Sequence, residues 1–307
     1  MKGVVVKNTG SWYQVKSADG ELIDCKIKGN LRLKDIRSTN PIAVGDMVDF
    51  EMSSDIVGLI SDVRDRRNYI VRRSSNLSKH AHILAANLDL TVLVATVNYP
   101  ETSTVFIDRF LAAAEAYRVP ACLVFNKTDL YSPDEMEYLS ALQGLYQHIG
   151  YAVFCISALK TENLDDFKAF LKDKTTLISG NSGVGKSTLI NAIMPATKAK
   201  TGKISEYHNK GMHTTTFSEM FELESGGYII DTPGIKGFGT IDMEKEEMGH
   251  YFKDIFQVSG NCRFSNCTHV HEPGCAVLDA VEQQIISRSR YQSYLSMLSD
   301  TDTGKYR

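Results

Sequence analysis

Two short motifs stand in this chain in an order that decides how its central sheet must be wired: Asn126-Lys127-Thr128-Asp129 precedes Gly180-Asn181-Ser182-Gly183-Val184-Gly185-Lys186-Ser187. The second segment is a G-x-x-x-x-G-K-S loop. Its glycines let the backbone curl until successive N–H groups and the next helix's N-terminus face one point, which is how a phosphate is held. Lys186 can reach β- and γ-phosphates. Ser187, followed by Thr188, offers a hydroxyl to Mg²⁺. Residues 175–179 read as a short apolar strand and 187–194 as the helix after it, so the context is the required one. Alone, this loop says only that a nucleoside triphosphate is bound, and a P-loop ATPase would share it.

The base is selected by the first motif. It ends the apolar run 121–125, which reads as a buried parallel strand, and ligands of doubly wound sheets sit at the carboxyl ends of such strands. Asp129 can accept two hydrogen bonds from N1–H and the exocyclic amine of guanine, a pattern adenine lacks. A carboxylate left unpaired rejects the wrong base, so GTP is favoured over ATP. Ser157-Ala158, after the apolar run 152–156, fits the loop whose backbone N–H reads guanine O6.

Asp231-Thr232-Pro233-Gly234 completes the set. Asp231 is expected to hold the Mg²⁺ shell through water, and the Gly234 N–H to sense the γ-phosphate, which makes the next segment a switch. Between the two lies Lys210-Gly211-Met212-His213-Thr214-Thr215-Thr216, where Thr214 or Thr215 is expected to cap Mg²⁺. Many GTPases place Gln just beyond D-x-x-G to orient the attacking water. Ile235 stands there instead, so slow intrinsic turnover is expected. Gly183 replaces the Asn of potassium-assisted GTPases, so nothing in the loop calls for a monovalent cation.

From residue 88 onward the apolar pattern reads strand (90–97), helix (104–118), strand (121–126), helix (134–148), strand (152–157) and helix (163–172). The phosphate-loop strand and helix come next, then strands 216–223 and 227–231. That alternation predicts an α/β domain with a mostly parallel sheet, every GTPase element present but circularly permuted. The second switch then closes the domain, and the chain beyond residue 240 is attached to the part that moves on hydrolysis. The expected coupling is that GTP orders the His213 and Gly234 segments and that the second switch places the C-terminal module.

Cys262, Cys267, His269 and Cys275 form C-x4-C-x-H-x5-C, the ligand set of a closed structural zinc site without an open position for water. His271 competes as a ligand. Beyond the cluster, Val277, Ala280, Val281, Ile285, Tyr291, Tyr294, Leu295 and Leu298 recur at helical spacing, predicting a helix packed on a mainly helical metal module, while Arg288 and Arg290 offer a basic face.

Five short β-rich runs before residue 64, separated by Gly, Asp and Asn, suggest an OB-type β-barrel, a fold that binds nucleic acid through aromatic and basic residues. Trp12, Tyr13, Arg32, Lys34 and Arg37 are candidates, with Trp12 and Tyr13 also reading as core. The basic run Arg64, Arg66, Arg67, Arg72, Arg73 and Lys79 is either a solvated linker face or an RNA contact. With 307 residues, 43% apolar, the chain can bury several cores, and three domains are expected: 1–72, 73–239 and 240–307. A net charge of −3 confines nucleic-acid contact to local patches. No apolar run approaches the ~18 residues that span a bilayer. A cytoplasmic monomer is expected, with Cys25, Cys122 and Cys155 reduced in strands.

A barrel, then N-K-x-D and S-A ahead of G-x-S-G-V-G-K-S, H-T-T-T and D-T-P-G, then C-x4-C-x-H-x5-C, resembles the ribosome small-subunit-dependent GTPase A (RsgA/YjeQ) family. The resemblance runs over residues 3–298. It implies a GTPase acting late in small-subunit maturation, whose hydrolysis of GTP to GDP is stimulated by that subunit and accompanies release. Contacts to ribosomal RNA are implied for both the barrel and the zinc module, and His213 is implied as the residue that positions water. An RNA-binding assembly scaffold with a slow nucleotide timer is the alternative reading.

Overall fold

The computed structural model describes residues 1–29, 41–54, 56–73, 81–194, 218–231 and 244–303. Strands β1 (Lys2–Asn8), β2 (Tyr13–Ser17), β3 (Leu22–Ile27), β4 (Met47–Ser54) and β5 (Val57–Val63) run in the order β1-β2-β3-β5-β4 and close through β1–β4. Only β3–β5 is parallel. This is the expected OB-type barrel. Alternation drives it: every second residue of β2 turns inward, so Tyr13 and Val15 join Val5, Cys25, Val48, Phe50 and Ile60 in the barrel core. Tyr13 is thus a core residue. Trp12 is 39% exposed, with the Lys26 ammonium 4.2 Å from its ring centroid. Arg32, Lys34 and Arg37 lie outside the described residues.

A hairpin of β6 (Tyr69–Arg73) and β7 (Ala81–Ala86), which hydrophobic patterning missed, forms a separate two-stranded sheet. The expected boundary at 72/73 falls inside β6. The first three arginines of the basic run leading into this hairpin are each paired with an acid, Arg64 and Arg67 staying partly exposed, and the side chains of Arg72 and Arg73 lie outside the described residues. Arg66 meets the fully buried Asp46 through two bonds of 2.7 and 2.6 Å, Arg64 reaches Asp49 at 3.1 Å, and Arg67 reaches Asp89 at 2.7 Å. Lys79 lies outside the described residues. Ile70, Leu84 and Ala85 pack with Val6, Val44, Val119, Leu177, Met220 and Ile230 into a cluster joining barrel and central sheet.

The central sheet has the predicted alternation: β8 (Leu90–Ala95), α1 (Thr104–Ala116), β9 (Ala121–Phe125), α2 (Pro133–His148), β10 (Ala152–Cys155), α3 (Leu164–Leu171), β11 (Thr175–Ser179), α4 (Lys186–Ile193), β12 (Glu219–Glu222) and β13 (Tyr228–Asp231). Strands β10-β9-β8-β11-β13 are parallel, and β12 is antiparallel to β13. Period-two alternation in β8 sends Leu90, Val92 and Val94 to the face covered by α3 and α4, and Leu93 and Ala95 to the face covered by α1 and α2. α2 begins with a capping box, Ser132 accepting from Glu135 N and Glu135 from Ser132 N, and Pro133 opens its first turn.

The last described region holds a 3₁₀ helix (Lys245–Tyr251), α5 (Lys253–Ser259), α6 (Ala276–Glu282) and α7 (Arg288–Thr303). The single apolar stripe expected after the cysteine cluster is therefore two helices. Gln284 at φ 60° takes the left-handed conformation that ends α6, and Ile285 is 60% exposed at the break. Tyr294, Met297 and Val277 close the module's core with Met248, Phe252 and Ile255, and Ala112 of α1 joins it. Arg290 is no basic face. It is 1% exposed and bonds Asp108 of α1 at 2.7 Å and Asp254 of α5 at 2.8 Å, while Arg288 remains exposed. Among the described residues no helix is long and apolar enough to cross a membrane. Cys25, Cys122 and Cys155 are free thiols.

Candidate functional site

The phosphate loop starts where β11 ends. At Gly180, φ 148°, a Cβ would stand 2.3 Å from the Val94 carbonyl oxygen. At Gly185, φ 93°, it would stand 2.4 Å from Asn126 Nδ2. Both positions therefore need glycine for space and for conformation. Val184 is fully buried in the core, which pins the loop, while Ser182 and Gly183 face outward and Asn181 is half-buried. α4 begins at Lys186, so its first N–H groups open towards the loop, with Ser187 and Thr188 on its first turn. Lys186 Nζ donates to the carbonyls of Gly180 and Asn181, both at 2.6 Å. Burial pushes the Lys186 pKa below the ordinary lysine value, and the Asp231 carboxylate works in the opposite direction.

Asn126 joins the two motifs. It is 2% exposed; its Nδ2 donates to Val184 O at 2.9 Å and its Oδ1 accepts from Ala158 N at 3.0 Å. One side chain thus holds the phosphate loop, the N-K-x-D loop and the S-A loop in register. Lys127, at φ 67°, donates from Nζ to Gly183 O at 2.7 Å and to Tyr99 O, laying its stem along the pocket. Asp129 accepts from Ser157 Oγ at 2.6 Å, and Ser157 Oγ also accepts from Lys160 N at 3.2 Å. The Asp129 carboxylate is therefore oriented by the serine of the S-A pair itself. Sequence patterning missed two supports. Tyr131 donates to Asn126 O at 2.5 Å and accepts from Val97 N, its hydroxyl pKa pushed up to about 12 by burial. Pro100 packs against Gly183. Neither carries a motif that could have announced it.

Asp231 ends β13 beside β11, its register partner being Ile178. The Asp231 carboxylate lies near enough to Lys186 to act on its charge, and a carboxylate and a hydroxyl such as that of Ser187 are the oxygen ligands a hard divalent cation takes. His213, Thr214, Thr215, Gly234 and Ile235 lie outside the described residues.

The second cluster is compact. The ligand atoms of Cys262, Cys267, His269 and Cys275 all lie within 4.8 Å of one another. His269 Nδ1 is 3.6 Å from Cys262 Sγ and 3.5 Å from Cys275 Sγ, and those two sulfurs are 4.0 Å apart. Tetrahedral Zn–S bonds of ~2.3 Å require sulfurs about 3.8 Å apart, so the donor set and spacing fit zinc. His271 stands outside this group, its backbone N–H bonded to Glu272. Burial works against the Glu272 charge, but the donors around its carboxylate hold its pKa below the ordinary glutamate value.

The chain matches two family models, described as RsgA N-terminal domain over residues 2–60 and RsgA GTPase over residues 63–241. It is 67% identical to the small ribosomal subunit biogenesis GTPase RsgA 2 of Bacteroides thetaiotaomicron, covering 100% of this chain and 99% of that one. Among solved structures it is similar to YjeQ from Thermotoga maritima, with a TM-score of 0.78, 35% identity and 98% of both chains covered. YloQ, a circularly permuted GTPase, gives a TM-score of 0.78 at 31% identity over 100% of this chain and 96% of that one.

Proposed function

The chain belongs to the RsgA GTPase family, and from that premise we propose that it is a GTP hydrolase of small ribosomal subunit biogenesis, stimulated by the subunit and released on hydrolysis to GDP. The observation that carries the reading is Asn126, which binds the phosphate loop through Val184 and the S-A loop through Ala158, so that one ligand spans both. Guanine pairs with Asp129, and a backbone N–H of the Ser157-Ala158 loop, which Asn126 holds in place, reads its O6. Lys186 exchanges its bonds to Gly180 and Asn181 for the β- and γ-phosphate oxygens, where its burial strengthens the attraction. Ser187, Asp231 and one of Thr214 or Thr215 would hold Mg²⁺, which supplies neutralisation of phosphate charge. Gly234 senses the γ-phosphate and His213 positions the attacking water in the place of a glutamine.

In this reading zinc sits at Cys262, Cys267, His269 and Cys275 as a structural ion. Residues 1–72, 73–239 and 240–307 act as barrel, GTPase domain and metal module, with the β6–β7 hairpin bridging the first two. The barrel and the metal module supply the contacts to ribosomal RNA, and the protein works as a cytoplasmic monomer. The test is hydrolysis of GTP and of ATP by the purified protein, with and without mature small subunits, with Lys186→Ala as the blank. GTP-selective turnover that climbs with small subunits is expected. Turnover that is indifferent to subunits, or equal for ATP, refutes the corresponding part of the reading.

A further inference from the structure

Glu272 is a carboxylate at the edge of the cysteine–histidine cluster, and it is not a ligand: both of its oxygens are already used. Oε1 accepts from Thr268 N at 2.7 Å and from Thr268 Oγ1 at 2.5 Å. Oε2 accepts from Val270 N at 3.0 Å and from His271 N at 3.1 Å. These four donors lie on the residues either side of His269, whose φ of 58° is uncommon for a residue with a side chain. Two tyrosines of α7 hold the same turn from the other side, Tyr294 donating to Thr268 O at 2.6 Å and Tyr291 to His269 O at 2.7 Å. Gly249 completes the fit, since a Cβ there would stand 3.3 Å from the His269 ring.

We infer that Glu272 is a positioning residue of the metal cluster: by gathering the N–H groups of residues 268, 270 and 271 it forces the turn that presents His269 Nδ1, rather than His271, to the metal. The proposal rests on the reading of the cluster as a zinc site. The geometry assigns roles to the pair of histidines that their spacing left open. With its backbone N–H drawn to Oε2, His271 has its side chain outside the cluster, whereas His269 is buried with Nδ1 facing two sulfurs. A charged acceptor suits the task, because backbone N–H groups bond an ionised carboxylate more strongly than a neutral amide.

The experiment uses the full chain loaded with zinc. Zinc affinity and release are measured by chelator competition in the wild type and in Glu272→Gln, Thr268→Val and His271→Ala, and each protein is then loaded with Co²⁺ for visible spectra. Loss of groups that orient a metal ligand typically weakens binding about 10–100-fold. That loss is expected for Glu272→Gln, together with a shifted Co²⁺ spectrum. Thr268→Val removes a single donor and keeps the test open if Glu272→Gln folds poorly; a few-fold loss is expected from it. His271→Ala is expected to bind as the wild type does. Glu272→Gln and Thr268→Val that keep wild-type affinity and spectra, even with lower melting temperatures, overturn the proposal. A wild type that binds no stoichiometric metal overturns the zinc reading with it, and so separates the two failures.

Discussion

Replacing Arg290 by Met is the perturbation that most directly probes how the C-terminal module is mounted. Arg290 donates to Asp108 at 2.7 Å and to Asp254 at 2.8 and 3.2 Å, and its guanidinium lies 4.7 Å from the Phe252 ring centroid. Desolvation disfavours the Arg290 charge, but Asp108 and Asp254 outweigh it and raise its pKa above the ordinary arginine value. Asp108 is 0% exposed and also accepts from Tyr146 at 2.9 Å. Methionine keeps much of the stem's packing but strands the Asp108 charge in the interior, a loss of about 3–5 kcal/mol. Against the ~5–15 kcal/mol that stabilises a typical domain, this is a large fraction. Urea denaturation monitored by circular dichroism is the assay. Asp108→Asn added to Arg290→Met should recover about 1–3 kcal/mol, because the amide still accepts from Tyr146 and carries no charge to strand. Two losses that simply add, or a single variant costing under about 1 kcal/mol, would show that the ion pair does not mount the module. The same energy bears on motion. Swinging the whole module on hydrolysis would require breaking this pair, so structures with GDP and with a GTP analogue should keep α7 seated on α1, against the expectation that the second switch places the module.

The site carries two further expected outcomes. Asp129→Asn should replace guanine selectivity with tolerance of xanthine, which presents an acceptor where guanine has its amine; competition binding with xanthosine and guanosine diphosphates checks this, and unchanged guanine preference counts against Asp129 as the base reader. Burial raises the Cys155 thiol to about 11. At pH 8 its thiolate fraction should therefore be about 10²-fold below that of an ordinary cysteine, and alkylation mapped by mass spectrometry on the zinc-loaded protein should speed up about tenfold per pH unit until near 11. Rapid labelling at pH 8 would contradict the burial argument.

The central sheet was legible because its strands are short apolar runs ended by motif loops, and its helices have clear periodicity; the 175–179 strand was read with both ends correct. The cluster residues were legible because three thiols and an imidazole at close spacing are the donors that a structural zinc site takes. The features that escaped depend on partners far along the chain. Arg290 looks like a surface charge until Asp108, on another helix, is packed against it. Arg66 likewise reads as part of a basic run until it closes on Asp46. The β6–β7 hairpin hid behind that same charge run, with seven residues between its strands where a two-residue turn sequence would have announced it. The choice between His269 and His271 turns on backbone geometry that Glu272 sets, and spacing alone carries no trace of it.

The way the barrel is attached has its own logic. β12 is the outer strand of the central sheet and would offer an unpaired edge, but β1 of the barrel covers it, with Lys7 opposite Glu219. Lys7 and Glu219 also pair at 3.0 Å, and Lys16 reaches Glu222 at 2.6 Å and the Tyr228 hydroxyl at 3.2 Å. Such partly exposed pairs are worth ~0–1 kcal/mol each, so they set register while the apolar cluster of Val6, Ile70, Leu84, Met220 and Ile230 supplies the adhesion. β12 is the strand that leaves the segment carrying His213, Thr214 and Thr215, and the 3₁₀ helix Lys245–Tyr251 begins soon after the segment carrying Gly234. The barrel is therefore bonded to the exit of one proposed γ-phosphate segment, and the metal module is covalently continuous with the other. In the proposed reading a partner gripping both ends would act on these two segments, while the phosphate loop's contacts to Asn126 and Lys127 are internal to the central domain. Subunit binding, on the same reading, would change turnover through the residues proposed to position water and magnesium, and leave the Asn126–Val184 and Asn126–Ala158 contacts as they are.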